Sequence, residues 1–190
     1  MKLYQYKDYA EYKQAQTKAN IQKIVNVWIN ESTVKKIKSF VPECKNILCH
    51  GVRNAKEIVF FQKHYQANVI GTEISTTASQ FNNVVEWDFH NVKEDWIGKF
   101  DIVYSNSWDH SYDPTKSLTT WKDQLTNDGY MFIEVGISEK DNKSTITDPL
   151  EINDEEIKNL LNENNLKLKQ TFITSALKNG TKAKVYVIQK

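Results

Sequence analysis

The segment from Ser105 to Pro114 carries the densest set of reactive side chains in the chain. It reads SNSWDHSYDP and follows a short apolar run, so one loop holds a base, hydrogen-bond donors and acceptors, and aromatic walls. Asp109 and His110 are adjacent in it. His110 is a candidate general base for an acceptor hydroxyl of low acidity, and it is equally consistent with a histidine that holds the loop by hydrogen bonds.

A second segment, KNILCHGVRNAKE from Lys45 to Glu57, combines an apolar run that ends at Gly51 with a helical pattern that begins three residues later. A strand that turns into a helix start aims backbone N–H groups and the positive end of a helix dipole at one point. The sequence therefore predicts a binding site for an anionic or polar ligand after this strand.

Apolar, strand-like runs alternate with helical segments through the middle of the chain. The runs cover residues 46–49, 69–74, 84–87, 102–104 and 130–135, and the segments between them cover 54–65, 76–81, a turn near Asp95, and 114–125. Strands that alternate with helices form a parallel sheet covered on both faces. This pattern predicts a three-layer α/β domain.

The C-terminal part of the chain departs from this alternation. Residues 138–148 are polar and predict a loop, and Asn153 with three following acids predicts the start of a helix that runs to about Asn164. Two strand candidates follow, at 166–176 and 182–188, with Asn179 and Gly180 between them as a hairpin signal. The predicted sheet is therefore seven-stranded and mostly parallel, with a C-terminal antiparallel hairpin.

Two helices are predicted before the first strand. Apolar residues spaced three or four apart indicate an amphipathic helix over residues 7–29, and a second helix begins near Ser32 and ends at Pro42. These helices either pack on the sheet or close over a site as a lid that excludes water. We divide the chain into an N-terminal helical extension at 1–42 and an α/β domain at 43–190.

The composition favours a small ligand or a protein partner. The 190 residues suit one domain, and the 25 basic and 24 acidic residues give a net charge of +1, which provides no global field for nucleic acid or an anionic membrane.

Cys44 and Cys49 have neither a metal nor a disulfide spacing and are expected to be reduced. Without a membrane span or a signal-peptide pattern, we expect a cytoplasmic protein.

Ligands of such sheets bind outside the carboxyl ends of the strands, where strand order reverses. The strand-end residues are His50 and Gly51, then Glu73, then Asp88, and then the segment from Ser105. Five parallel strands closed by a hairpin resemble the Rossmann-like fold of the class I S-adenosylmethionine-dependent methyltransferases, over about residues 45–190.

The resemblance implies cofactor roles for the strand-end residues. Gly51 would let the methionine end approach the backbone, Glu73 of GTEIS would accept hydrogen bonds from the ribose hydroxyls, and Asp88 of VVEWDFH would bind the adenine amino group with Phe89 beside the ring. Further cofactor-binding positions are implied at three other residues of these segments, namely His50, Ile74 and Asn106.

The first loop departs from the family pattern. Of its usual glycines only Gly51 is present, with Arg53 and Ala55 at the later glycine positions and Cys49 at the usual acid. Arg53 either pairs with the methionine carboxylate, since its planar fork matches a planar anion, or is solvated at the helix start.

The resemblance implies direct methyl transfer from S-adenosylmethionine to a small-molecule acceptor, which requires mainly alignment of the acceptor with the sulfonium. Asp109, His110 and Tyr112 would face the acceptor, under a lid from the N-terminal aromatic residues Tyr9, Tyr12 or Trp28. The alternative function is a non-catalytic Rossmann-like domain that binds a nucleoside ligand or a protein partner, and the missing glycines motivate it.

Other chemistries fit the sequence less well. The histidines, cysteines and acids show no helical or knuckle spacing, so no metal is predicted. The chain has no Gly-Lys-Ser/Thr phosphate loop and no Gly-x-Gly-x-x-Gly dinucleotide turn. The fourth-strand segment lacks the Asn/Asp-Pro-Pro-aromatic motif of enzymes that methylate exocyclic amines, which argues against methylation of nucleic-acid bases.

Overall fold

A computed structural model describes residues 1–137, 143–177 and 180–190 of the chain. The strands in this part of the chain are β1 (Lys2–Leu3), β2 (Asn46–His50), β3 (Asn68–Glu73), β4 (Val84–Glu86), β5 (Phe100–Ser105), β6 (Leu125–Gly136), β7 (Leu150–Glu151), β8 (Lys167–Ile173) and β9 (Ala183–Gln189). The helices are α1 (Tyr9–Gln22), α2 (Glu31–Phe40), α3 (Lys56–His64), α4 (Pro114–Gln124) and α5 (Asp154–Glu163).

The main sheet of the described residues has seven strands in the order β4-β3-β2-β5-β6-β9-β8. Strands β2 to β6 pair in parallel, whereas β9 pairs antiparallel with both β6 and β8. The mostly parallel sheet with a C-terminal antiparallel pair is thus confirmed. Strand order reverses between β2 and β5, so the carboxyl ends of these two strands flank the switch point.

The sheet has an apolar core on each face, which confirms the three-layer architecture. Along the central strand β2, Ile47 and Cys49 pack into one core and Leu48 packs into the other, because successive side chains of a strand point to opposite faces. Strand β5 repeats this alternation with Ile102 and Val103, and all of these side chains are fully buried. Central strands covered on both faces are apolar throughout, as the sequence run predicted.

The first helix is shorter than predicted. Helix α1 ends at Gln22 rather than Ile29, and the N–H of Lys23 closes it by bonding to the carbonyls of Ala19 and Asn20. The β-branched and amide residues that follow have low helix propensity, and Val25 is 83% exposed. The second helix begins at its Asn30 cap and packs Val34 and Ile37 into a sheet core.

A short strand pair was not predicted from the sequence. Strands β1 and β7 pair antiparallel, with Lys2 opposite Glu151 and Leu3 opposite Leu150. Two residues are too few to show a period-two pattern, and the pairing joins segments about 150 residues apart. The pair ties the N-terminal segment to the chain just before α5.

The C-terminal hairpin strands lie where the sequence placed them: β8 is shorter than predicted, and β9 is shifted by one residue. Of the predicted turn, Asn179 lies outside the described residues and Gly180 has a positive φ of 84°. Of the predicted loop, residues 138–142 also lie outside them, and in its described part the N–H of Thr145 bonds to the carbonyl of Asp148. None of the helices in the described ranges is long and apolar enough to cross a membrane.

Candidate active site

The loop after β2 has the backbone of a glycine-rich turn, although it holds a single glycine. Gly51, Arg53 and Ala55 have positive φ angles of 70°, 39° and 60°. These are the three positions at which the family pattern has glycine. A Cβ atom on Gly51 would lie 2.6 Å from the Cβ of Ser107, so glycine is required there by both conformation and space. The other two residues adopt left-handed geometry at an energetic cost.

Glu73 ends β3 beside this loop and anchors it. One carboxylate oxygen accepts the N–H of Arg53 at 3.0 Å, and the other accepts the N–H of Ser75 at 3.1 Å. Burial raises the pKa of Glu73. A carboxylate has about four lone-pair sites, so Glu73 retains acceptor capacity for a ligand.

Asp88 follows β4, next to Glu73 along the edge of the sheet. Its Oδ1 accepts both the N–H of His90 and a ring hydrogen bond from His90 Nδ1 at 2.6 Å. Burial disfavours its charge, but the contacts with His90 and the nearby hydroxyl of Tyr9 outweigh burial and lower the pKa of Asp88. Its Oδ2 is buried and has no hydrogen-bond partner in the described part of the chain. This oxygen is therefore an unused acceptor at the strand end.

A narrow cleft of about 40 Å³ runs past these two acids. The sheet side of the narrow cleft carries Glu73, Ile74, Asp88 and Phe89, which the sequence assigned to cofactor binding. Helix α1 forms the opposite wall, through the side chains of Tyr12, Gln16, Ala19 and Asn20. The structure thus brings the four predicted strand-end residues of β3 and β4 together under the first helix.

A wide cavity of about 270 Å³ adjoins the narrow cleft. Gly51, Arg53, Ser107 and His110 line both spaces and so mark their junction. The wide cavity extends from this junction past the carboxyl ends of β5 and β6, and its wall includes Asn106, Glu57, Glu134 and Trp28. The loop after β5, which holds Asn106 to His110, therefore borders both spaces.

His110 is oriented by the polar loop before β7. Its Nδ1 lies 2.6 Å from the carbonyl oxygen of Thr147. A carbonyl oxygen only accepts, so Nδ1 carries the proton and Nε2 is the acceptor in the neutral ring. Nε2 lies 3.9 Å from Oδ1 of Asp109. The ring is thus in the tautomer that a general base requires.

Two acids flank His110. The Asp109 side chain is 36% exposed, but its Oδ1 atom is buried and accepts no hydrogen bond from the described residues. Burial raises the pKa of Asp109. For Asp148, burial is outweighed by His110, Thr147 and Lys23, which lower its pKa. The ligand atoms of Asp109, His110 and Asp148 all lie within 4.8 Å of one another, a grouping that sequence spacing did not reveal.

The Arg53 side chain lies among carboxylates without bonding to one. It makes no hydrogen bond or ion pair within the described ranges, yet Glu73, Glu57, Asp109 and Asp148 all act on its charge. Its guanidinium is thus held at the junction of the two spaces with its donors unused, rather than solvated away from the site.

Two of the predicted site residues lie away from both spaces. His50 is fully buried, bonds to Thr72 at 2.9 Å and to Gln124 at 2.8 Å, and stacks on Trp121. Burial lowers the pKa of His50 to about 4, so its ring is a neutral core group. Tyr112 packs its ring against Tyr12 and His90, at centroid distances of 4.6 Å and 4.0 Å, and lines neither space.

Three acids that line the wide cavity were not predicted from the sequence. Glu57 lies at the end of the segment from Lys45 to Glu57, but an acid in the first turn of a helix is common, because it interacts favourably with the helix dipole. Glu134 is a charged residue within the apolar strand β6, a signal that could have identified it. Asp148 follows a polar segment, and nothing in its spacing distinguished it.

The fold is that of the class I S-adenosylmethionine-dependent methyltransferases, as comparison with solved structures shows. The 1,6-didemethyltoxoflavin-N1-methyltransferase of Burkholderia thailandensis, solved with 1,6-didemethyltoxoflavin and S-adenosylhomocysteine, superposes with a TM-score of 0.78 at 14% identity. That match covers 98% of this chain and 92% of the other.

Two further structures agree. The N-methyltransferase NodS from Bradyrhizobium japonicum, in complex with S-adenosylhomocysteine, gives a TM-score of 0.70 at 9% identity, over 93% of this chain and 98% of the other. A TehB-like methyltransferase from Corynebacterium glutamicum gives 0.60 at 18% identity, over 95% and 98%. No protein-family model matches the chain, and no curated protein matches its sequence. The resemblance seen in the sequence is confirmed at the level of the fold.

Proposed function

We propose that this protein is an S-adenosylmethionine-dependent methyltransferase that acts on a small molecule by direct methyl displacement. The observation that carries the proposal is the pair Glu73, which ends β3, and Asp88, which follows the adjacent strand β4; both line one cleft at the edge of the sheet. Solved structures with this fold hold S-adenosylhomocysteine, and one of them also holds its small-molecule substrate.

The residues of the narrow cleft fit the nucleoside half of the cofactor. Glu73 would accept the ribose hydroxyls with its remaining lone pairs. The buried Oδ2 of Asp88 has no donor among the described residues, and the adenine amino group supplies one. Phe89 would pack beside the ring and Ile74 would cover the sugar. The main chain of His50 leads into the loop, while its ring remains in the core.

The junction fits the methionine half. The turn at Gly51 lets a ligand approach the backbone. The guanidinium group of Arg53, which forms no hydrogen bond within the described residues, matches the geometry of a carboxylate. Asn106 lies next to the junction, where its amide already bonds to Glu57 at 2.9 Å. When bound, S-adenosylmethionine supplies an electrophilic methyl group on a sulfonium.

The acceptor would occupy the wide cavity, with its nucleophile facing the junction. His110 carries its proton on Nδ1 and lines both spaces, so Nε2 is placed to accept a proton if the acceptor needs a base. The carboxylate of Asp109 would stabilise the positive charge that the His110 ring gains. The ring of Tyr112 packs against Tyr12 and would help to fix its position. We further propose that α1 and the segment after it, within the extension at 1–42, act as a lid, with Tyr12 over the narrow cleft and Trp28 at the wide cavity. Helix α2 packs on the sheet and is not part of this lid.

The test is calorimetric titration of the purified protein with S-adenosylmethionine and with S-adenosylhomocysteine. Micromolar binding by the wild type, weakened about tenfold or more in Glu73→Ala, is the expected result. Glu86→Ala is the matched control, because Glu86 ends the neighbouring strand but is exposed, and within the described residues its ion pair is with Lys13 at the surface. It should bind as the wild type does.

A well-folded wild type that binds neither compound would overturn the proposal. It would favour the alternative, a non-catalytic domain that binds another ligand or a protein partner. The missing glycines motivated that alternative in the sequence. Against it, the loop keeps a positive φ at each of the three glycine positions.

A further inference from the structure

The wide cavity contains two buried carboxyl groups that the proposed function leaves unused. Glu57, in the first turn of α3, is 5% exposed, and Glu134, on β6, is 7% exposed. Both line the cavity. Neither forms an ion pair with a lysine or arginine within the described residues, and acidic side chains are rarely buried unless they are paired.

The hydrogen bonds of this pair are incomplete. Oε1 of Glu57 accepts the amide of Asn106 at 2.9 Å, but its Oε2 is buried and has no partner among the described residues. Glu134 accepts the hydroxyl of Tyr104 at 2.7 Å. A buried acceptor without a donor is costly, so an unpaired oxygen on a residue that lines a cavity marks a position where a ligand donor gains free energy.

The electrostatics of the pair select the kind of ligand group. Burial raises the pKa of Glu57 to about 7 and that of Glu134 to about 7. Glu57 adds to the shift of Glu134, whereas Glu73 adds to the shift of Glu57 and Arg53 opposes it. A positive charge or several N–H donors would relieve this repulsion. An anionic group would increase it. A single hydroxyl offers one hydrogen and would satisfy at most one of the two carboxyls, whereas an amine or amidine can satisfy both.

We propose that the wide cavity binds the methyl acceptor through a nitrogen that carries N–H groups, with Glu57 Oε2 as the proton acceptor and Glu134 as a second anchor. This inference rests on the proposed methyltransferase function. It assigns the chemical class of the acceptor and a catalytic residue, neither of which the sequence indicated.

The proposed step balances without a further reactant. The nitrogen lone pair forms a bond to the methyl carbon, while the carbon–sulfur bond of the sulfonium breaks and leaves its electron pair on sulfur. The N–H proton passes to the Glu57 carboxylate and then to solvent. The products are an N-methyl compound, S-adenosylhomocysteine and a proton. A base with a pKa near the working pH is well matched to this transfer.

The experiment uses three probes of similar shape, benzamidine, benzyl alcohol and benzoate, titrated into the protein saturated with S-adenosylhomocysteine. We expect the wild type to bind benzamidine, to bind benzyl alcohol at least about tenfold more weakly, and to reject benzoate. Glu57→Gln and Glu134→Gln should each weaken benzamidine about tenfold or more. Glu155→Gln, a change at an exposed glutamate of α5, is the control and should bind benzamidine as the wild type does.

Two outcomes would overturn the inference. One is benzoate or benzyl alcohol binding as tightly as benzamidine. The other is benzamidine binding to Glu57→Gln as tightly as to Glu155→Gln. Binding of S-adenosylhomocysteine to each variant shows that the variant is folded. If the wild type fails to bind S-adenosylhomocysteine, the proposed function fails instead, and the same probe series without it still decides whether the carboxyl pair binds N–H groups.

Discussion

The N–H of Arg53 donates a 3.0 Å hydrogen bond to Oε2 of Glu73, which joins the loop after β2 to the end of β3. The other oxygen of the same carboxylate holds the N–H of Ser75. One buried side chain therefore fixes two backbone turns that border the narrow cleft. Glu73 has a structural duty in addition to its proposed contact with the cofactor.

Replacing Glu73 with glutamine tests this structural role. An amide oxygen accepts one of the two N–H groups, and its NH2 group faces the other, so one buried donor loses its acceptor. We expect Glu73→Gln to lower the free energy of unfolding by about 1–3 kcal/mol, measured by urea denaturation. Glu86→Gln, at an exposed ion pair, should change it by less than about 1 kcal/mol. Equal effects of the two changes would show that the Glu73 carboxylate does not hold the turns.

Two glycine substitutions separate backbone strain from crowding. Gly51 and Gly98 have similar positive φ angles of 70° and 65°, but an added Cβ at Gly98 meets nothing within 4 Å. Gly98→Ala should therefore lower the free energy of unfolding by about 1–2 kcal/mol, which is the cost of placing a non-glycine residue in the left-handed conformation. Gly51→Ala should cost about 1–3 kcal/mol more, because its Cβ would press on Ser107. Urea denaturation of both variants measures the difference, and equal costs would contradict the close approach to Ser107.

The buried carboxyls predict a specific pH dependence of stability. Since the pKa of Glu57 and that of Glu134 are raised from 4.5 to about 7, the unfolded chain releases these protons at a lower pH than the folded protein. The stabilisation is fully present below pH 4.5 and is lost as the pH rises through 7. Each group accounts for up to about 3 kcal/mol of that loss.

The corresponding experiment compares urea denaturation at pH 5 and pH 8. Glu57→Gln should reduce the fall in unfolding free energy between these pH values by about 2 kcal/mol, and Glu155→Gln should leave it unchanged. Below pH 6.5 the lowered pKa of His50 contributes a slope of opposite sign, but that slope is common to both variants and cancels. An unchanged fall in Glu57→Gln would mean that Glu57 ionises in the folded protein as it does in water.

Helix α1 is expected to open before a cofactor can enter. The narrow cleft measures about 40 Å³, well below the roughly 300 Å³ or more of typical ligand pockets. The amide of Gln16 bonds to the carbonyl of Thr147, and the hydroxyl of Tyr12 bonds to the carbonyl of His110. Gln16→Leu keeps the side-chain size and removes one of these bonds.

We expect Gln16→Leu to speed amide hydrogen exchange in α1 and association of S-adenosylhomocysteine about fivefold, since one hydrogen bond is worth about 1 kcal/mol. Gln14→Leu introduces the same change on the exposed face of α1 and serves as the control. Hydrogen-exchange mass spectrometry and stopped-flow fluorescence give the two rates. Identical rates in the two variants would show that this contact does not hold the helix closed.

The fold was largely predictable because its signals are local or periodic. Apolar runs such as the one ending at Gly51 mark buried parallel strands, and a cap residue such as Asn153 marks the start of a helix. The length of α1 was overestimated because apolar spacing continues past Gln22 while helix propensity does not. The β1–β7 pair was missed because it depends on a contact between the two ends of the chain.

The site was predictable where it depends on strand ends, and less so where it depends on tertiary contacts. Glu73 and Asp88 follow directly from the topology, since acids after neighbouring parallel strands meet at one edge. His50 also ends a strand, but the alternation of side chains turns its ring into the core against Trp121. The approach of Asp148 to His110 depends on a loop from a distant part of the sequence, for which no spacing rule exists.

The β1–β7 pair has a consequence for the order in which substrates bind. Strand β1 directly precedes α1, the helix that covers the narrow cleft. Strand β7 directly follows the loop whose residues Thr145 and Asp148 line the wide cavity, so the pair joins these two parts of the chain. The N–H of Tyr4 bonds to Pro149 and the hydroxyl of Tyr6 bonds to Ile146 across the same seam. The segments that cover the two spaces are therefore linked and are expected to move together. Entry of a ligand to one space is then coupled to entry of a ligand to the other. We expect compulsory-order kinetics, in which the first ligand to bind sets the access of the second.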